Sequence, residues 1–351
     1  MGSAGPIGMG VIGYGRATVQ MHATELAGLT DKFQFAAVSV RSKDRQELAR
    51  AKFHCAIYSD YRDLIKDPSV ELVNVATRSV DHASMAIAAL EAGKHVFLEK
   101  PISVSYAEAQ ELQAAAKRSK GKLLIRHNRR FASDFVQVKE IIDSGLLGEV
   151  FLIRVRFVKY DLRDDWQTLQ ECGGGMLLNM GPHFIDHCME FLGWKYEVQW
   201  ADTRRVAATG DAEDYAKVIF KGESGLVVDL EMSGGAAFDE VSFSAYGKLG
   251  ALTCNGKAIH VKYYDPGGVA TRAARAATPA IDAPFGSGIS IPWVEETIPL
   301  RPPQRELWGE VYKAIREGSE FPIKVDQSVQ IMKVIDEVKA LAGKPSPLNL
   351  R

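Results

Sequence analysis

An apolar run at residues 9–12 stops at Gly13-Tyr14-Gly15, and a helix-like stretch continues from there to Gly28. A strand, a glycine turn and a helix in that order open a βαβ unit, and the turn presents backbone N–H groups at a helix N-terminus, where an anionic group is held. Gly13 makes the turn, and Gly15 lets a ligand approach the backbone closely. The letters G-x-G-x-x-G also fit Gly8, Gly10 and Gly13. That match fails physically: only residues 1–7 precede it, and Val11-Ile12 would fall inside the turn. In the accepted register the third glycine position is Thr18, whose side chain is expected to loosen the packing of helix on strand. Taken alone, the turn also fits a purely structural glycine bend.

The alternation continues through the first third of the chain. Strand-like runs at 35–40, 72–76, 95–98 and 123–126 are separated by helical patterns at 43–52, 81–91 and from Ser105 to Lys117. Gly93 follows the second helix as a C-cap residue, and Ser105-x-x-Glu108 is a capping box. This pattern predicts an α/β fold with a doubly wound parallel sheet over residues 1–128. Beyond 129 the texture changes. After a helix at 135–143, strand-like segments at 150–158, 218–220, 226–231, 241–246 and 259–264 dominate. Few crossover helices separate them, so an α+β domain on an antiparallel or mixed sheet is expected over 129–351. Residues 266–290 read as a long surface loop, and helices are expected at 306–317 and 327–341.

Two domains suit a chain of 351 residues, and a formal net charge of −1 gives no field to attract nucleic acid or an anionic membrane. No apolar run reaches the length of a membrane span. Cys55, Cys172, Cys188 and Cys254 are scattered without C-x-x-C spacing. Reduced thiols are therefore expected, and with no leader pattern in the first residues a cytoplasmic protein.

Three stretches carry chemistry. The tip of the second strand, Val40-Arg41-Ser42-Lys43, lacks the acid that would hold the ribose 2′-hydroxyl of NAD. Its cations and hydroxyl suit a 2′-phosphate instead, so NAD(P) is expected with a preference for NADP; a solvated basic loop is the alternative. Glu99-Lys100-Pro101 ends a parallel strand, where open α/β sheets bind ligands and where a lysine can set its ammonium beside a reacting oxygen. Three glycines, 173–175, precede Asn179 and His183, which share a helical face if Gly181-Pro182 does not break it. His183 and His187 are also four apart, but without a glutamate or third ligand no metal is expected, and His187 reads as a buried structural histidine.

These stretches together resemble the glucose-fructose oxidoreductase / inositol dehydrogenase / MocA-like family. The resemblance rests on residues 11–15, 82–101, Asn128-Arg129-Arg130-Phe131, residues 144–150, Trp166 and the glycine segment ending at His183. It implies an N-terminal Rossmann domain and a C-terminal domain with an open mixed sheet, whose face would form a homodimer or homotetramer. It implies a dehydrogenase moving hydride between nicotinamide and a sugar-like or cyclitol-like alcohol. A non-catalytic NAD(P)-binding sensor and a reductase of a non-sugar substrate are the alternatives. Lys100 would polarise the reacting oxygen, and His183, near its unperturbed pKa, would be the general acid/base. Asn179, Trp166, Arg163 and Tyr160 would contact substrate. Gly13, Tyr14, Gly15, Arg16, Ala17, Arg41, Ser42, Thr77, His82, Glu99, Lys100 and Trp166 would contact cofactor. Three positions depart from the family's pattern: Thr18, Arg78 in place of a proline, and Asn179 in place of an aspartate, which suits Asn179 to positioning rather than proton relay.

Overall fold

A computed structural model describes residues 5–269, 281 and 289–347 of the chain. Six parallel strands form the first sheet: β1 (Ile7–Ile12), β2 (Phe33–Ser39), β3 (Ala56–Tyr58), β4 (Leu72–Val75), β5 (His95–Leu98) and β6 (Leu123–Ile125). Their order is β3-β2-β1-β4-β5-β6, so the chain reverses direction across the sheet between β1 and β4. That switch point opens a crevice at the carboxyl ends of the strands, where Gly13 follows β1 and Thr77 follows β4 closely. Every residue of β1 is buried, as expected for a central strand with helices on both faces. Gly8 and Gly10 lie inside β1, and a Cβ on Gly8 would fall 1.9 Å from the Ser69 carbonyl oxygen. Those glycines serve packing, and the rejected motif is structural.

Nine strands form the second sheet: β7 (Val150–Val158), β8 (Tyr196–Arg205), β9 (Tyr215–Gly222), β10 (Val227–Ser233), β11 (Phe243–Gly247), β12 (Gly250–Cys254), β13 (Ala258–Tyr263), β14 (Val294–Pro299) and β15 (Ser346–Pro347). The sheet is mixed: β7 runs parallel to β10, β15 runs parallel to β8, and the remaining pairs are antiparallel. Helices Gly181–Leu192 and Val325–Ala342 pack on it. Inward residues such as Val218, Phe220, Val228 and Leu230 are fully buried. Arg156, Asp229, Lys217 and Glu231 pair across β7, β9 and β10.

Five strands escape the sequence reading. β3, β12 and β15 are short, and β14 is mostly exposed; β8, Tyr-Glu-Val-Gln-Trp-Ala-Asp-Thr-Arg-Arg, carries polar residues that break a simple apolar signal. The helix expected at 306–317 is an α-helix only over Leu307–Tyr312 and continues as a π-helical turn, Lys313–Glu317. Much of the loop expected at 266–290 lies outside the described residues. The turn Asn128–Phe131 sits at the division between the two units. Residues 307–317, counted with the second unit, pack back on the first. The Trp308 ring lies 4.7 Å from that of Phe97 and 5.3 Å from that of Phe33, and its indole N–H donates to Glu25 at 2.8 Å.

Candidate active site

The crevice is a cleft of about 1530 Å3 that runs from the Gly13 turn to His183. Gly13 adopts φ +106, and a Cβ there would lie 2.5 Å from the Ala76 carbonyl oxygen, so the turn requires glycine. A Cβ on Gly15 would meet nothing within 4 Å: the backbone there borders open space, as a cradle for a pyrophosphate requires. Thr18 departs from expectation in its effect. It is fully buried, and its hydroxyl donates to the Gly13 carbonyl at 2.8 Å, tying the first helical turn to the loop rather than loosening it. Tyr14, Arg16, Ala17, Arg41, Ser42, Thr77 and His82 line the same end of the cleft, joined by Arg45 and Arg62, which the sequence reading did not single out. His82 bridges two loops: its Nδ1 lies 2.6 Å from the Pro101 carbonyl and its Nε2 3.3 Å from that of Thr77. Burial pushes its pKa below the ordinary value.

Lys100, just past β5 and joined to Pro101 by a cis peptide bond, reaches across the cleft. Its Nζ donates to the Asn179 backbone carbonyl at 2.8 Å and to Asn179 Oδ1 at 3.3 Å. Burial lowers its pKa to about 8, with Glu99 opposing and Arg126, Arg129 and Arg163 adding to the fall. Asn179 ends the short helix Met176–Asn179, and a separate helix, Gly181–Leu192, starts with Pro182 in its first turn. Pro182 therefore begins a new segment, its missing N–H being harmless there. His183 lies in that first turn, lines the cleft and is buried, with Nδ1 lacking a hydrogen-bond partner. Its imidazole does not titrate near its ordinary value, contrary to expectation. Burial first, then the charges of Lys100, His127 and Arg129, push it well below. The ring is neutral and able to accept a proton.

Behind Lys100 stands a buried charge network absent from the sequence reading. Glu99 Oε1 lies 2.9 Å from His22 Nε2 and 3.5 Å from Arg126 Nε. Burial alone would raise the Glu99 pKa, but His22 and Arg126 overcome it and hold the carboxyl near 2. Arg126 also pairs with Glu25 at 2.5 Å, linking this network to Trp308. Glu99 thus touches the cleft while its charge is spent on the interior.

The segment 161–167 closes the far side. Arg163 pairs with Asp165 at 2.7 Å and donates to Gln167, and Arg16 from the glycine turn reaches Asp165 at 2.8 Å. Gln167 donates to Asn179 Oδ1 at 3.2 Å, so the Asn179 side chain is held from two sides. Trp166 lines the cleft, as expected. Tyr160 does not. It is 60% exposed and, just past β7 between Lys159 and Asp161, which do line the cleft, forms a β-bridge to Gly235.

His127 went unread and Arg129 entered only as part of the family resemblance, although both follow β6 as Lys100 follows β5, and that shared position was the available signal. The His127 ring lies 6.4 Å from that of His183, edge to face, and burial lowers its pKa to about 3. His187 is structural, as expected: it stacks on Phe135 at 3.9 Å, and its Nε2 donates to the Arg129 carbonyl at 3.0 Å. Among the described residues no cluster of His, Cys, Asp or Glu could hold a metal, the four cysteines are free, and no helix is long and apolar enough to cross a membrane.

Residues 7–127 match the family described as "Oxidoreductase family, NAD-binding Rossmann fold", and residues 135–253 match the "GFO/IDH/MocA C-terminal domain". A relative from Schizosaccharomyces pombe, "Uncharacterized oxidoreductase C115.03", is 29% identical over 98% of this chain and all of its own length. The Bacillus subtilis protein "scyllo-inositol 2-dehydrogenase (NADP(+)) IolW" is 29% identical over 53% of this chain and 52% of its own, so the match spans about half of that relative. A solved NAD-binding protein from Listeria innocua shares the fold with a TM-score of 0.80 and 23% identity, covering 96% of this chain and 94% of its own.

Proposed function

We propose that this chain, which belongs to the GFO/IDH/MocA oxidoreductase family and carries its NAD-binding Rossmann domain, transfers a hydride between a nicotinamide cofactor and a secondary alcohol or ketone of a sugar, sugar derivative or cyclitol. The observation that carries the reading is the convergence of Lys100 and His183 in the cleft that begins at the Gly13-Tyr14-Gly15 turn. A sensor of cofactor needs neither group. NAD(P), when bound along the turn and Thr77, supplies the ring that exchanges hydride with the substrate carbon.

The chain's own groups handle the proton and the charge. The neutral imidazole of His183 accepts the hydroxyl proton when the alcohol is oxidised and returns it when the ketone is reduced. The ammonium of Lys100, aimed by both oxygens of Asn179, stabilises negative charge developing on the same oxygen. Asn179 acts through Lys100, as a positioning residue. Trp166, Arg163 and Gln167 offer an aromatic face and polar groups for a polyhydroxylated substrate.

Arg41 and Ser42 follow β2 and Arg45 adds a cation, while Arg62 at the same end is already paired with Asp60. The guanidinium groups of Arg41 and Arg45 and the hydroxyl favour NADP, and the NADP(+)-dependent scyllo-inositol 2-dehydrogenase IolW supports both this preference and a cyclitol class. The strand face of the second sheet opposite its helices is the surface proposed for homodimers or homotetramers. The test follows nicotinamide absorbance with NAD+ and NADP+ against sugars, cyclitols and their acids. Turnover with a preference for NADP+ is expected; tight cofactor binding with silence across the panel would favour the sensor.

A further inference from the structure

Arg129 sits in the turn that follows β6 and lines the cleft with Lys100 and His183. Its backbone is fixed, since its carbonyl accepts from His187 at 3.0 Å and from the Ala132 N–H at 3.1 Å. Its guanidinium rests over two aromatic rings, 5.3 Å from the centre of Phe184 and 5.9 Å from that of Phe157. Its charge depresses the pKa values of both Lys100 and His183, so it stands within electrostatic reach of the reacting groups.

What separates Arg129 from its neighbours is the absence of a protein acceptor. At the same end of the cleft Lys159 pairs with Asp161, Arg163 with Asp165, and Arg126 with Glu25 and Glu99. Among the described residues no carboxylate lies within salt-bridge distance of Arg129, and none of its side-chain N–H groups finds an acceptor. A half-buried guanidinium with its donors unspent costs stability unless a ligand completes it. Planar paired donors supported on aromatic faces match a carboxylate in two parallel hydrogen bonds. A neutral hydroxyl offers one acceptor and no charge. Lys100 adds a second cation, while the acids nearby are already engaged, apart from the exposed Asp164.

We infer that the substrate carries a carboxylate, as an aldonic or uronic acid does, and that Arg129 holds it while Lys100 and His183 address a hydroxyl or ketone of the same molecule. This rests on the dehydrogenase reading and narrows its substrate class.

The test separates binding from turnover. Enzyme saturated with NADPH is titrated calorimetrically with D-glucuronate and D-glucose, and with gluconate and sorbitol. Each acid is expected to bind at least about tenfold more tightly than its neutral partner, the scale of a charge-assisted hydrogen bond. Arg129→Gln brings the two affinities together, and Arg129→Lys, which keeps the charge without the fork, retains part of the difference. Equal affinities in the wild-type protein, no binding of either acid, or a preference that persists in Arg129→Gln would overturn the inference. So would an effect of Arg129→Gln on NADPH affinity alone, which would assign the guanidinium to the cofactor. An acid that binds through Arg129 and is never oxidised would leave this site standing and remove the dehydrogenase reading.

Discussion

The Lys100 ammonium donates to the Asn179 backbone carbonyl at 2.8 Å, across 79 positions of sequence and from one domain to the other. The contact ties the end of β5 to the start of the His183 helix, so the two reacting groups are set by one junction. It also places a cation of pKa about 8 beside an imidazole kept neutral. The pH dependence follows. With His183 neutral and ready to take the proton, alcohol oxidation needs the Lys100 ammonium, so its kcat/KM should fall as pH rises through about 8, with no bend near the ordinary histidine value. The residual activity of Lys100→Arg should lack the fall at 8, because a guanidinium keeps its proton there. A bend near pH 6.5, or the same fall in the variant, would show that another group sets the profile.

Glu99 joins the site to the interior. Its folded pKa of about 2 lies below the ordinary carboxylate value of 4.5. The group therefore stabilises the fold fully above about pH 4.5, and the contribution is lost as pH falls toward 2. Glu99→Gln removes the buried carboxylate that faces Arg126, leaving that guanidinium only the partly exposed Glu25, and a loss of about 3 kcal/mol is expected at pH 7. Urea unfolding at pH 7 and in acid measures it. The gap between the two proteins should narrow in acid, and a constant gap would mean the charge is not the cause.

Acid should act on His187 from a higher pH. Its pKa falls from 6.5 unfolded to about 4 folded, because burial against Phe135 disfavours the cation. Its contribution is present above pH 6.5 and is lost as pH drops through 4. That difference is worth roughly 3 kcal/mol. His187→Gln should make the fall in stability from pH 7 to 4 shallower. Coincident slopes for the two proteins would exclude His187 as the source.

Gly13→Ala tests the turn. At φ +106, with its new Cβ 2.5 Å from the Ala76 oxygen, the loop must move. NADPH affinity, read by fluorescence titration, should fall at least about tenfold, alongside roughly 1–3 kcal/mol of strain. Unchanged affinity would place the cofactor elsewhere.

Local features were legible in the sequence. The glycine turn, Lys100 at a strand end and the break at Pro182 each follow from a short run of residues and a backbone rule. The long-range features were not. The Glu99–His22–Arg126 network joins residues 22, 99 and 126, and Trp308 completes it from the far end of the chain. No spacing rule brings those positions together. Tyr160 shows the converse limit: Lys159 and residues 161–167 line the cleft, while the exposed Tyr160 between them does not. Strand β8 was hidden because its polar side chains interrupt the apolar pattern. The depressed pKa of His183 comes first from burial and then from charges led by Lys100, an environment that only the fold assembles around it.

The most direct measurement is turnover and NADPH binding in parallel for Lys100→Met and His183→Ala. Each variant should lose about a hundredfold or more in kcat with the best substrate of the panel, the scale of removing an acid–base group, while NADPH affinity is retained. Wild-type turnover in either variant would remove that residue from the chemistry, and with both intact the cleft would be a binding site only.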